Sequence, residues 1–135
     1  MGAVDFAEWA APGLELTWGG RTYTVPPPSV RGMRQVLAAA VRGEINLGLV
    51  SGPTPPEVVE VLDAIEADEH PALGPVYQQL ADDGVPAVTI DRMSYYAAFY
   101  WARGREYADL LAHWMWAPGG AVEAEAEDAE PDPKD

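Results

Sequence analysis

A run of aromatic and alanine residues near the C-terminal end constrains the fold more than any other feature of the chain. The run YYAAFYWA covers residues 95–102, within a segment whose spacing predicts a helix that begins at Pro86 or Thr89 and ends at Arg103. This helix is apolar on nearly every face, and such a helix is normally buried centrally among other elements. We therefore expect a mainly α fold in which other helices surround it.

A β-hairpin is predicted near the N-terminus. Two runs of alternating apolar and polar residues, LELTW at 14–18 and RTYTV at 21–25, flank Gly19 and Gly20. A two-glycine loop suits the tight turn of a hairpin because both residues tolerate positive φ. Since an isolated two-stranded hairpin is only marginally stable in water, its apolar face is expected to pack on the helices.

Apolar residues at helical spacing, bounded by prolines and glycines, predict about five helices. After a short turn capped by Asp5 and ending at Trp9, the helices are predicted from Ser29 to about Gly43, from Pro55 to about Ala67, from between Pro71 and Pro75 to about Asp82, from Pro86 or Thr89 to Arg103, and from Arg105 to about Trp116. The second helix carries a capping-box pattern, with Thr54 as the cap and Glu57 three residues later. The predicted fold class is mainly α (α+β), as a single helical domain of residues 1–118 that contains the hairpin at 14–25.

Much of the negative charge lies in the last residues of the chain. The formal net charge is −14, and residues 121–135 hold seven acidic side chains with Lys134, which makes −6. A segment so poor in apolar residues cannot offset the entropy of ordering it, so residues 119–135 are predicted to be a disordered acidic tail. Two interpretations of the tail are a solubilising appendage and an attractor for a basic partner.

Composition argues against two classes of partner. A strongly acidic chain is a poor match for phosphate backbones, so we expect no nucleic-acid partner. The longest strongly apolar run has eight residues, whereas about 20 are needed to cross a bilayer, so we expect no membrane partner. The start of the chain also lacks the pattern of a secretory signal.

The sequence carries no recognisable catalytic or metal-binding motif. Cysteine is absent, His70 lies in a turn-like segment, and His113 has Asp109 one helical turn earlier, which predicts a structural pair. No serine lies in a nucleophile-elbow motif. We therefore expect a protein that is not an enzyme and that has no catalytic residue, cofactor or metal. Three arginines on the first helix, Arg31, Arg34 and Arg42, are interpreted as a solvated face paired with nearby acids.

Exposed aromatic residues are the best candidates for binding another protein. Core packing accounts for most of the aromatic helix, but one edge of it could stay exposed and receive an apolar segment of a partner. Trp114 and Trp116 point in opposite directions on the last helix, so one apolar stripe cannot bury both. The candidate partner-binding residues are Tyr95, Tyr96, Phe99, Trp114 and Trp116.

Several blocks of sequence resemble the small tail assembly chaperones of long-tailed, siphovirus-type phages that infect actinobacteria. These blocks are DFAEWAAPGLELTWGGRTYTVPPPSV, LAAAVRGEINLGL, DEHPALGPVYQQLADDGVP and TIDRMSYYAAFYWARGREYADLLAHW. The phrase RTYTVPPPSV and the aromatic run with its flanks are the most specific parts. Together the blocks cover most of residues 5–114, and the acidic tail falls outside them.

The resemblance implies a non-enzymatic viral helper of virion assembly. Chaperones of that kind bind the aggregation-prone tape measure protein and help the tail tube protein to polymerise around it. The resemblance further implies action in the host cytoplasm and absence from the mature virion. Self-association stays open. The alternatives are a structural minor tail or connector protein of the virion, and an acidic regulatory binding domain.

Overall fold

A computed structural model of the chain describes residues 2–117. It contains a short 3₁₀ turn, a two-stranded hairpin and five helices, in that order along the chain. The elements are the turn Phe6–Trp9, strands β1 (Leu14–Trp18) and β2 (Arg21–Val25), and helices α1 (Val30–Asn46), α2 (Pro56–Asp63), α3 (Val76–Asp82), α4 (Ala87–Arg103) and α5 (Arg105–Trp116). The mainly α fold with an N-terminal hairpin is therefore confirmed, while the tail predicted at 119–135 lies outside the described residues.

The hairpin forms at the predicted residues. β1 and β2 are antiparallel, and Leu14 lies opposite Val25. Gly19 and Gly20 take φ values of 60° and 81°, the left-handed conformation that a tight two-residue loop requires. Leu14, Tyr23 and Val25 are buried on the inner face, which packs against α3 and α4 as the instability of a lone hairpin requires.

The aromatic helix α4 joins two hydrophobic clusters. Ile90 and Ala97 pack with the hairpin and α3, whereas Phe99 packs with Ala40 of α1 and with the inner face of α5. α4 thus contacts three other helices, which fits its long apolar surface. It is not enclosed on every side, however, because Tyr95 is 46% exposed.

α1 is one turn longer than the sequence predicts. Gly43 does not end the helix, which continues to Asn46. A methyl group added at Gly43 would lie 3.0 Å from the Cζ atom of Phe99, so this glycine allows α1 and α4 to approach closely instead of marking a helix end. The extra turn also brings Glu44 into contact with Arg103 and Tyr107.

α2 is shorter than predicted, and its capping box does not form. A residue before proline is forced into extended backbone, so Pro55 (ψ 144°) cannot be helical and α2 begins at Pro56. Thr54 then lies one position too early to cap the helix, and α2 has no side-chain cap. At the other end the helix stops at Asp63 instead of near Ala67. Beyond it, the carboxylate of Glu69 accepts a hydrogen bond from the backbone N–H of Glu66 at 2.9 Å, which fixes a turn.

Candidate functional site

An open apolar groove lies between α1 and α4. It has a volume of about 310 Å³ and is closed on its third side by the end of α2 and the segment that follows it. We name it the α1–α4 groove. Its lining consists of Val36, Ala39, Arg42, Gly43, Leu62, Ile65, Glu69, His70, Pro71, Ala72, Leu73, Ser94, Tyr95, Ala98 and Phe99.

Small residues make the groove possible. Gly43 lets α1 approach α4 closely at Phe99, and the short side chains of Ala39 on α1 and Ala98 on α4 line the space that stays open beside that contact. On the opposite wall, Leu62 is only half-buried, and no residue of α2 is fully buried. The groove is therefore an apolar surface that this chain covers only in part, and such surfaces commonly mark binding sites.

The carboxylate of Glu69, which lines the groove, accepts several hydrogen bonds. Glu69 accepts hydrogen bonds from Nε and Nη2 of Arg31 at 2.9 and 3.1 Å, from the Gln35 amide at 3.4 Å, and from the backbone N–H of Glu66. The Arg31 guanidinium and the Glu66 N–H together lower the pKa of Glu69 to about 2. Glu69 thus stays ionised and fully engaged with this chain.

The arginine face of α1 is only partly paired. Arg31 forms an ion pair with Glu69, as the sequence interpretation expected. Arg34 and Arg42 are exposed, as expected of a solvated face, but within residues 2–117 they form no ion pair or side-chain hydrogen bond. Arg42 lines the α1–α4 groove, whereas Arg34 does not.

The candidate residues on α4 differ sharply in accessibility. Tyr95 lines the α1–α4 groove and is half-exposed, so its ring is available to a partner. Phe99, one turn later, is only 1% exposed and packs against Tyr107 with ring centroids 5.9 Å apart. We correct the prediction for Phe99, because a side chain enclosed by α1 and α5 offers almost no surface to a partner.

Two other candidates lie on a different surface. Tyr96 and Trp116 line a shallow cleft of about 340 Å³ between β1, α4 and α5. The guanidinium of Arg92 lies 5.8 Å from the centre of the Trp116 ring, in cation–π geometry, and covers part of that ring. Trp114 is 45% exposed and lies outside both clefts, so the two tryptophans face apart as predicted. The five candidates do not form one surface.

Tyr96 is held by a hydrogen bond between helices. Its hydroxyl group donates to the carboxylate of Asp109 on α5. Burial and the neighbouring Asp109 raise the pKa of Tyr96 to about 12. The predicted pairing of Asp109 with His113 is wrong, since Asp109 is taken by Tyr96 and His113 is exposed.

A buried carboxylate joins α1, α4 and α5. Glu44, whose side chain is 8% exposed, accepts two hydrogen bonds from Arg103 at 3.0 and 2.9 Å and one from the Tyr107 hydroxyl at 2.7 Å. The Arg103 contact lowers the pKa of Glu44, and burial together with Glu44 raises the pKa of Tyr107 to about 12. These contacts connect α1 to both α4 and α5.

Alkaline pH is expected to destabilise the fold through the two tyrosines. Tyr96 and Tyr107 have pKa values of about 12 in the folded chain, against 10.0 for an ordinary tyrosine. Between pH 10 and 12 the unfolded chain therefore releases these protons while the folded chain keeps them, so the free energy of unfolding falls as pH rises. Urea denaturation at a series of alkaline pH values measures this slope. The Tyr96→Phe and Tyr107→Phe variants should each show a shallower slope, and an unchanged slope in both would contradict the assignment.

Sequence reasoning missed most of the groove. It gave no role to Ala39, and it interpreted Gly43 as the end of the first helix. A usable signal was present in the small residues of α1, because Ala39 and Gly43 are four positions apart and lie on one face of a helix. Predicting the groove also required knowing that α2 ends early, which the sequence pattern does not reveal.

The described residues offer neither a metal-binding cluster nor a membrane-spanning helix. Within residues 2–117, no three acidic, histidine or cysteine side chains are arranged so that they could hold a metal ion. Over the same residues, none of the helices combines the length and the apolar character needed to span a bilayer.

Comparison with known proteins gives one family. No curated protein and no solved structure matches the chain. A family profile described as "Domain of unknown function (DUF7426)" matches residues 4–135, nearly the whole sequence. The chain belongs to the DUF7426 family.

Proposed function

We propose that this protein is a phage tail assembly chaperone that binds the tape measure protein, keeps it soluble and promotes polymerisation of the tail tube around it. The α1–α4 groove is the observation that carries the proposal. It is an apolar cleft, open to solvent, on a small protein, and the sequence resemblance to tail assembly chaperones suggests what it binds.

The groove has the features that an apolar helix requires of a binding site. Small residues on its floor let a helix approach closely, while Leu62 on one wall and Tyr95 on the other offer larger apolar surfaces. Amphipathic helices bind such grooves through side chains spaced at i, i+3, i+4 and i+7. A tape measure protein is expected to be a long helical chain whose apolar faces are exposed until the tube encloses it. Covering such faces would suppress its aggregation.

Co-expression tests the proposal directly. The tape measure protein of the same phage is produced alone, with the wild-type chain, and with two variants, and its soluble fraction is measured. Tyr95→Glu places a charge at the groove, whereas Leu110→Glu places the same charge on α5, where Leu110 is 66% exposed and lines neither cleft. The wild type and Leu110→Glu should keep the tape measure protein soluble, and Tyr95→Glu should do so several-fold less well.

Two controls decide what a result means. Far-UV circular dichroism checks that both variants fold. We expect that they do, because Tyr95 and Leu110 are exposed and tolerate polar replacement. A tape measure protein that is equally soluble without this chain would contradict the chaperone role. Mass spectrometry of purified phage particles distinguishes the chaperone from the alternative, a structural minor tail or connector protein. The structural protein would be present in the particles, and the chaperone would be absent.

A further inference from the structure

We propose that the α1–α4 groove selects an apolar helix that carries a carboxylate beside its apolar stripe, and that Arg42 is the residue that recognises this carboxylate. The inference deepens the proposed function and rests on the groove being the helix-binding site. It names the chemistry of the bound helix, which the chaperone role alone does not specify.

The charge balance inside the groove supports an anionic contact. The negative charge of Glu69 is compensated by its ion pair with Arg31, and its carboxylate already accepts hydrogen bonds from Arg31, Gln35 and the backbone of Glu66. Arg42 lines the same groove and is exposed, and it has neither an ion pair nor a side-chain hydrogen bond within the described part of the chain. The uncommitted charge in the groove is therefore positive, although the whole chain has a net charge of −14.

The surroundings of Arg42 favour direct contact with one carboxylate over a weak attraction through solvent. A guanidinium group presents five N–H donors in a planar fork that can bind both oxygens of one carboxylate. Arg42 stands beside apolar lining, with Ala39 and Gly43 on its own helix and Tyr95 on α4. A helix seated on that lining would exclude water from one side of the guanidinium group, which strengthens the pair relative to one in open solvent.

The negative charge of the chain limits which helices fit. A helix rich in acidic residues would be repelled on approach, but charges beyond about 8–10 Å are largely screened at physiological salt. A single carboxylate at Arg42 thus gains its local contact without strong repulsion from the rest of the protein. The expected ligand is an amphipathic helix of neutral or positive net charge with one Glu or Asp at the edge of its apolar stripe.

Three peptides test the charge preference. Each is a fluorescein-labelled amphipathic helix of about 18 residues, or five turns, with the same apolar stripe and with Glu, Gln or Lys at one position beside it. Binding to the full-length chain is followed by fluorescence anisotropy. The Glu peptide should bind roughly 5- to 20-fold more tightly than the Gln peptide, and the Lys peptide should bind most weakly.

Substitutions assign the preference to one residue. Arg42→Gln should bind the three peptides with equal affinity, and Arg42→Glu should favour the Lys peptide. Arg34→Gln is the matched control, because Arg34 lies on the same helix without lining the groove, and it should keep the wild-type order.

The outcomes that overturn this inference differ from those that overturn the proposed function. Equal affinity for the three peptides, a preference that survives in Arg42→Gln, or no binding of any peptide would each overturn recognition by Arg42. The co-expression experiment is independent of these results, because there the loss of solubility with Tyr95→Glu tests whether the groove binds the tape measure protein. If Tyr95→Ala weakens binding of all three peptides equally while Arg42→Gln removes only the charge preference, the groove is the helix-binding site and Arg42 sets its charge preference.

Discussion

Replacing Arg103 with alanine is expected to lower the free energy of unfolding by about 2–3 kcal/mol. Removing one partner of a buried ion pair leaves the other charge unpaired, and the cost is typically about 3–5 kcal/mol. We expect less here because Arg103 is 38% exposed, so water already screens the pair. The Tyr107 hydroxyl also continues to donate to Glu44. Urea denaturation followed by far-UV circular dichroism measures the change.

A double-mutant cycle separates the pair from its individual residues. The cycle compares the wild type, Glu44→Gln, Arg103→Ala and the variant that carries both substitutions. The double variant leaves no buried charge at this position, so it should be more stable than Arg103→Ala alone. Arg34→Ala is the control for removing an arginine that forms no ion pair within residues 2–117, and it should change stability by less than about 0.5 kcal/mol. If Arg103→Ala lowered the free energy of unfolding as little as Arg34→Ala, the Glu44–Arg103 pair would contribute little to stability.

The effect of Arg103→Ala is expected to depend on pH. Arg103 lowers the pKa of Glu44 below its ordinary value of 4.5, so the pair stabilises the folded chain above that pH and the stabilisation is lost as pH falls. The stability gap between wild type and variant should therefore narrow below about pH 4.5. A gap that stays constant on acidification would mean that Arg103 acts through packing alone.

The fold was predictable where local rules and burial agree. The Gly19–Gly20 loop fixed the hairpin, and the break between α4 and α5 came at Gly104, which adopts φ 104°. One error arose because a distant residue overrides a local signal, and another arose because two neighbouring local signals conflict. Gly43 was predicted to end a helix, but its missing side chain instead gives Phe99 room to pack. Thr54 was predicted to cap α2, but the two prolines after it shift the start of that helix.

The candidate site was predictable only in part. Of the five aromatic candidates, Tyr95 lines the groove and is half-exposed. Sequence spacing could not distinguish Tyr95 from Phe99, because neighbours four positions apart lie on the same side of a helix. What separates them is the position of α5, which covers Phe99 and leaves Tyr95 open. The contribution of α1 depends on small residues, whose role is visible only once the helices are placed.

Phe99→Ala is expected to lower the free energy of unfolding by about 3–5 kcal/mol. The Phe99 ring is 1% exposed and lies between Ala40 of α1 and Leu111 of α5, so truncation removes apolar contacts and leaves a cavity where three helices meet. Gly43 has no side chain to fill the space. Urea denaturation measures the loss, and a value below about 1 kcal/mol would contradict the central position of Phe99.

Tyr95→Ala is the matched control for Phe99→Ala. Comparing the two variants distinguishes an effect on stability from an effect on peptide binding. Tyr95 and Phe99 are one turn apart, with ring centroids at 6.3 Å, yet only Tyr95 is substantially exposed. Truncating Tyr95 should cost about 1 kcal/mol or less, because much of its ring is already in water. The same variant should weaken binding of the groove peptides. If Tyr95→Ala instead lost as much stability as Phe99→Ala, the exposed edge of α4 would be part of the core, and the groove would lose its most accessible aromatic side chain.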